Sequence, residues 1–135
     1  MTEKGTFTTI DHVAIFAKDP KALARWYSDT LGFKIEIERK TSDGKQVVFI
    51  SLGGGLIEIL EADNIARVAH GRRDPGIRHI AISVTDLQKA YDHLKTKNVA
   101  FKFEPRKVMS SGVAQLMTVI DDPESNELQL IARID

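Results

Sequence analysis

The chain has no cysteine among its 135 residues. That excludes a disulfide framework, a Cys-rich zinc site and a thiol nucleophile, and leaves His, Asp and Glu as the side chains for metal or acid–base chemistry. It has no excess of either charge: nineteen Lys plus Arg stand against nineteen Asp plus Glu. No broad positive field is therefore present to hold nucleic-acid phosphates or an acidic membrane surface. Long apolar runs are missing too, since the stretches end after four or five residues, and Met1 to Thr6 lack the apolar centre of a signal peptide. These absences set the expectation of a cytoplasmic protein with neither nucleic acid nor membrane as partner, although a lack of cysteine also suits the periplasm. The length makes about one domain, enough to bury a core without disulfides or structural metal.

What is present is local pattern. Ile10 to Phe16 is a short β-rich run, and Asp19-Pro20 after it has the form of an N-cap followed by proline at the first helical position. Leu23, Trp26, Tyr27 and Leu31 then make one helical stripe of about three turns, closed by Gly32. Three strand-like runs follow: Phe33 to Arg39; Gln46 to Leu52 after the turn Ser42-Asp43-Gly44; and Leu56 to Leu60 after Gly53-Gly54-Gly55. Glu36 and Glu38 alternate with Ile35 and Ile37, as in an ordinary half-buried strand. The glycine triplet opens no helix, so it suits a hairpin turn rather than a phosphate cradle. Residues 62–76 are polar, include His70, Arg72 and Arg73, and suit a solvated linker with room for one helical turn.

The pattern then repeats. With an offset of 67 positions, Ile10/Ile77, His12/His79, Ala14/Ala81, Ile15/Ile82 and Asp19/Asp86 are identical. Asp86 caps a second helix with Leu87, Ala90, Tyr91 and Leu94 on its stripe. Strand-like runs appear at Ala100 to Phe103, Val113 to Ile120 and Glu127 to Ala132. The chain thus divides into module one (about 7–61), a linker (62–76) and module two (about 77–135), each βαβββ, within a single domain.

Strand alternation puts His12 on a face with Ile10, Ala14 and Phe16, and His79 on a face with Ile77, Ala81 and Ser83. Each module also carries one carboxylate in an apolar strand, Glu58 and Glu127, 46 positions after His12 and 48 after His79. A lone strand His or Glu is ordinarily a core or surface residue, but here both recur. Two imidazoles and two carboxylates brought together by a pseudo-twofold would suit a divalent ion, Ni, Co, Mn or Zn. Such an ion would also offset the several kcal/mol, roughly, that an unpaired carboxylate costs in a strand core. His93, one position before a stripe residue, and His70 are expected to be exposed.

The segments IDHVAIFAKD, WYSDTLGFK, GGGLIEILE, GIRHIAISVTDLQKAYDHL and DDPESNELQLI resemble the vicinal oxygen chelate superfamily over nearly the whole chain. That group includes glyoxalase I, methylmalonyl-CoA epimerase, fosfomycin-resistance proteins, bleomycin-binding proteins and extradiol dioxygenases. The resemblance implies an α+β fold in which the two modules form a cup-shaped mixed sheet around a metal that chelates vicinal oxygens of a small-molecule substrate. It also implies a homodimer. Carried over, the ligands fall on His12, Glu58, His79 and Glu127, the four-ligand pattern of glyoxalase I, with methylmalonyl-CoA epimerase close behind.

The resemblance further implies metal-dependent, glyoxalase-like isomerase or lyase chemistry. A proton beside a carbonyl is removed and returned through an enediolate, with Glu127 as base and Glu58 as its counterpart. Glutathione-dependent relatives carry a basic residue and an Asn where this chain has Phe16 and Ala62, so the substrate is expected to differ. Phe16 lines the expected substrate wall. Arg106 and Lys107, in the loop before Val113, are candidate contacts for an anionic tail. The alternatives are an epimerase and a metal-free binding protein of the bleomycin-resistance kind; the intact quartet favours an enzyme.

Overall fold

Asp19 and Gly32 bracket the first helix as their residue types dictate. In the computed structural model, which describes residues 5–64, 73, 75–110 and 112–134, strand β1 (Val13–Ala17) leads into helix α1 (Pro20–Leu31). The Asp19 side chain accepts the Ala22 N–H at 3.2 Å. Gly32 adopts φ 80° and donates its N–H to the Ser28 carbonyl at 3.1 Å. The helix buries Pro20, Leu23, Ala24 and Tyr27, and packs chiefly on the strand that starts at Gln46. The stripe therefore runs through Ala24, with Trp26 and Leu31 only half-buried at its margins.

Three strands complete the first unit: β2 (Lys34–Lys40), β3 (Gln46–Leu52) and β4 (Gly55–Glu61). The sheet order is β1-β4-β3-β2, with β1 parallel to β4 and the other pairs antiparallel. Gly53 and Gly54 form the tip of the β3–β4 hairpin, where Leu52 pairs with Gly55. A bulge between Ile35 and Ile37 breaks the expected alternation. Ile35 pairs with Ile50, which is buried on the helix side, and Ile37 pairs with Phe49 on the opposite face. The extra residue turns two isoleucines that a regular strand would align onto opposite sides.

The second unit repeats this plan with β5 (Ile80–Ser83), α2 (Leu87–Thr96), β6 (Arg106–Ser110), β7 (Val113–Asp121) and β8 (Glu127–Arg133) in the order β5-β8-β7-β6. Strand β5 is parallel to β8. Asp86 caps α2 by accepting the Lys89 N–H at 3.0 Å. Leu87 and Leu94 are buried, while Ala90 and Tyr91 are half-buried. Asp122 is 4% exposed and accepts from the Glu124 N–H at 2.8 Å, the Asn126 N–H at 2.9 Å and Asn126 Nδ2 at 2.8 Å, shaping the turn that feeds β8.

Three expectations need correction. The first strands begin at Val13 and Ile80, later than the apolar pattern suggested, and Ile10 and Ile77 are each 83% exposed. Ala100 to Phe103 contributes an isolated bridge, Phe101 to Ile120, instead of a strand. The missing strand is β6, whose charged and polar composition, Arg106-Lys107-Val108-Met109-Ser110, suits an edge position and hid it from an apolar-alternation search.

His70, Arg72 and any helical turn in residues 65–72 lie outside the described residues. The chain divides into two compact units, Met1–Ala66 and Arg67–Asp135. Among the described residues no helix is long and apolar enough to cross a membrane.

Gly32 and Gly54 offer a paired test. A Cβ at either meets nothing within 4 Å, but Gly32 sits at φ 80° whereas Gly54 is outside the left-handed region. Gly32→Ala should lower unfolding free energy by about 1–2 kcal/mol from backbone strain alone, and Gly54→Ala should be close to neutral. Urea titration of both variants checks this; equal effects would show that the helix stop is not strained.

Candidate functional site

In the first unit Ala14, Glu58, Phe49 and Ile37 form one row of paired residues across β1, β4, β3 and β2. His12, just ahead of β1, lies over this row. Its Nε2 is 3.4 Å from Glu58 Oε1, and its ring meets Phe49 edge-on at 5.7 Å between centroids. On the other side Nδ1 is 2.7 Å from Asp11 Oδ2. An ionised carboxylate only accepts, so Nδ1 carries the hydrogen and Nε2 is the atom presented toward Glu58. The Glu58 side chain is 16% exposed and that of His12 35%.

This arrangement fits a divalent ion by its chemistry. An imidazole whose Nδ1–H is held by a carboxylate has the outer-shell support usual for a metal-ligating His. Two donors 3.4 Å apart are within the span of one ion that sits about 2.0–2.2 Å from each. Among the described residues, however, no group of three or more His, Asp and Glu side chains is placed to hold a metal. What the first unit forms by itself is a pair.

The second unit does not copy that pair in Glu127. Ala81, the repeat counterpart of Ala14, pairs with Gln129, so the residue in the place of Glu58 is Gln129. Glu127 lies one same-face step earlier, opposite Asp121 of β7. Its carboxylate is 3.1 Å from Arg78 Nη1 and its side chain is 12% exposed. His79 is exposed ahead of β5, in the position that His12 has ahead of β1. The near-equal spacings of 46 and 48 thus correspond to different rows of the two sheets, a correction to the equivalence of Glu58 and Glu127 expected from spacing.

The remaining candidates are dispersed. Phe16 is 66% exposed and pairs with Leu60, on the face of Glu58 and one row along. Arg106 and Lys107 belong to edge strand β6 instead of a loop, and the Arg106 guanidinium stacks on the Phe103 ring at 3.9 Å. His93 is exposed on α2. Sequence reasoning missed Asp11 and Arg78, which precede the two histidines directly and are themselves 67 positions apart. That adjacency was the available signal. Gln129 had none without the strand register.

Two βαβββ units of one topology, each with a His ahead of its first strand, define an α+β protein of the vicinal oxygen chelate type, an enzyme or a small-molecule-binding protein. The chain belongs to the Glyoxalase/Bleomycin resistance protein/Dioxygenase superfamily, which it matches over residues 9–130. It is 36% identical over 91 residues to an ethylmalonyl-CoA/methylmalonyl-CoA epimerase of Cereibacter sphaeroides, covering 64% of this chain and 68% of that protein. It is 30% identical over 108 residues to the human mitochondrial methylmalonyl-CoA epimerase, covering 76% of this chain and 61% of that longer protein. The glyoxalase family protein from Enterococcus faecalis has the same fold, with a TM-score of 0.72 at 24% identity over 93% of this chain and 98% of that one.

The His12 environment yields a pH prediction. The hydrogen bond to Asp11 is the main cause that raises its pKa above 6.5, outweighing partial desolvation, and the charge of Glu58 adds to it. Because the folded-state value is raised, the stabilisation is fully present below about 6.5 and is lost as pH rises through the higher folded-state pKa. In an NMR titration with chelator present, His12 should titrate above 6.5, and Asp11→Asn should lower its midpoint. An unchanged midpoint in the variant would remove Asp11 as the cause.

Proposed function

We propose that the protein is a metal-dependent isomerase or lyase of the glyoxalase kind, moving a proton at a carbon beside a carbonyl in a small substrate with vicinal oxygens. The observation that carries this reading is the His12–Glu58 pair, 3.4 Å apart with the imidazole oriented by Asp11. His12, Glu58 and His79 would supply three donors and β8 the fourth, for which the sequence nominates Glu127. The two modules would work as one domain in a cytoplasmic homodimer.

A bound divalent ion (Ni, Co, Mn or Zn) would polarise the substrate oxygens and stabilise the enediolate. The chain's own contribution is a carboxylate to take and return the proton, a general-base role worth about 10²–10⁴-fold. The Glu58 side chain is 16% exposed, sheltered from bulk solvent beside His12. Similarity to two proteins named as acyl-CoA epimerases supports proton chemistry beside a carbonyl.

Phe16, 66% exposed on the face of Glu58, bears on the substrate. A glutathione carboxylate brought to Phe16 and Ala62 would find an aromatic ring and a methyl where it needs charge-assisted hydrogen bonds worth about 1.5–3 kcal/mol each. Loss of two would weaken binding by about two to four powers of ten. The substrate is therefore one other than the glutathione hemithioacetal of methylglyoxal.

The test joins metal analysis to isotope exchange. Protein purified without added metal should hold about one divalent ion per chain, and His12→Ala should lose it. The loaded protein should wash solvent deuterium into a member of an acyl-CoA and 2-oxo-acid panel, with little glyoxalase turnover. Robust glyoxalase activity would overturn the substrate claim, and metal without exchange would favour a binding protein.

The homodimer proposal rests on sheet edges: β1 and β5 are each paired on one side only within their own sheets. Sedimentation should give twice the 15.1 kDa chain mass. Active protein at the monomer mass would contradict it.

A further inference from the structure

We infer that the second unit carries an anion-binding site of its own, on the sheet face turned away from α2. There the Arg106 and Arg133 guanidiniums and the Gln115 carboxamide take a phosphoryl group borne beside a hydroxyl or an amide N–H. The site lies wholly within that unit and needs no metal ion, so it does not rest on the metal-dependent reading. Strand pairing defines the face. Leu128, Leu130 and Ala132 of β8 are buried on the side of α2 and pair with Ile120, Thr118 and Leu116 of β7. Lys107 pairs with Leu116 and so belongs to that side. Arg106 pairs with Met117 and belongs to the other. In the next row of that other face Gln115 pairs with Arg133.

Several features prepare this face for an anion. The Arg106 guanidinium lies over the Phe103 ring, 3.9 Å from its centroid. Stacking occupies the flat side of the guanidinium and leaves the N–H donors in its plane, and among the described residues no carboxylate is paired with them. Phe103 is itself fixed, since the buried Thr118 hydroxyl donates to its carbonyl oxygen. Arg133 is exposed and likewise has no ion pair among the described residues. Gln115 Oε1 is buried with no hydrogen-bond partner there, an acceptor that a ligand's O–H or N–H would satisfy. The opposite end of the face differs: Asp121 and Glu127 pair across β7 and β8, and Lys102 and Arg78 compensate them. Positive charge is thus left uncompensated at the Arg106–Arg133 end. A phosphoryl group suits that end better than a carboxylate does. The two arginines stand two strand spacings apart, roughly 10 Å, close enough for long side chains to share one group. Three phosphoryl oxygens can serve two guanidinium forks, whereas one fork takes up both oxygens of a carboxylate.

A ligand titration of the full chain, with chelator present and thermal melts to confirm that each variant folds, decides the inference. Glycerol 3-phosphate, propyl phosphate and succinate are compared at constant ionic strength, with the Arg106 Nε–H and the Gln115 side-chain amide followed by proton–nitrogen NMR. Glycerol 3-phosphate should bind with a Kd of about 1 mM and move both signals. Propyl phosphate, which lacks the hydroxyls, should bind about threefold more weakly, and succinate about tenfold more weakly. Arg106→Gln should weaken glycerol 3-phosphate about tenfold and Arg133→Gln about threefold, while Gln115→Met should abolish the preference over propyl phosphate. Lys89→Gln, the same loss of charge placed on α2, should change affinity within about twofold. Equal weakening by Lys89→Gln and Arg106→Gln would reduce the effect to net charge and overturn the site. Succinate binding as tightly as the phosphates would overturn the phosphoryl assignment, and a preference that survives Gln115→Met would remove Gln115 from it. No shift at Arg106 with any of the three ligands would overturn the inference entirely.

Discussion

Parallel pairing between the first and last strand of each unit is the constraint on which the rest depends. Parallel neighbours cannot be joined by a hairpin, so the helix and two further strands must be threaded between them, which is the βαβββ order. The same pairing decides which side chain of the last strand lies beside the His ahead of the first. In the first unit β1 and β4 pair at a separation of 44 residues, Val13 with Ile57; in the second, β5 and β8 pair at 48, Ile80 with Leu128. The four additional residues are absorbed between the paired strands and leave the pairing plan untouched.

That difference explains what could be recovered from the amino-acid sequence and what could not. Caps are local chemistry, and Asp19, Gly32 and Asp86 act where their residue types place them. The repeat is also local, and it leads directly to two units of identical strand order. Register is not local. Apolar alternation fixes which face a residue is on, because a one-residue slip would bury Glu58 or Gln129 in place of Ile57 or Leu128. It is blind to a slip of two, and the choice between Glu127 and Gln129 is such a slip. In the structure the Asp122-centred turn sets where β8 begins. The bulge in β2 and the charged edge strand β6 escape for related reasons: one breaks the period of two, and the other never displays it.

The two units share a backbone plan and differ in charge. Asp11 and Arg78 occupy the same repeat position. Asp11 adds a carboxylate to an imidazole that already faces Glu58, so His12 stands between two carboxylates. Arg78 pairs with Glu127, so the carboxylate there is compensated and His79 stands beside a cation. The two units thus carry opposite signs at one repeat position, with carboxylates on both sides of His12 and an Arg–Glu pair ahead of β5.

A proton and the proposed divalent ion would compete for that same charge. Asp11 holds the imidazole hydrogen on Nδ1, which leaves Nε2 and the nearest Glu58 oxygen 3.4 Å apart. Below its raised pKa the imidazole carries a proton on Nε2 and the pair is satisfied as an ion pair; above it, two lone pairs are directed at common space. Ligation by His requires the neutral imidazole, so an ion would have to displace the proton that Asp11 and Glu58 favour. The same carboxylates would nevertheless attract the ion, and its double charge would gain more from them than a single proton does. One arrangement would therefore raise proton and metal affinity together, and Asp11, which would donate nothing to an ion directly, would set the balance between them through the imidazole it holds.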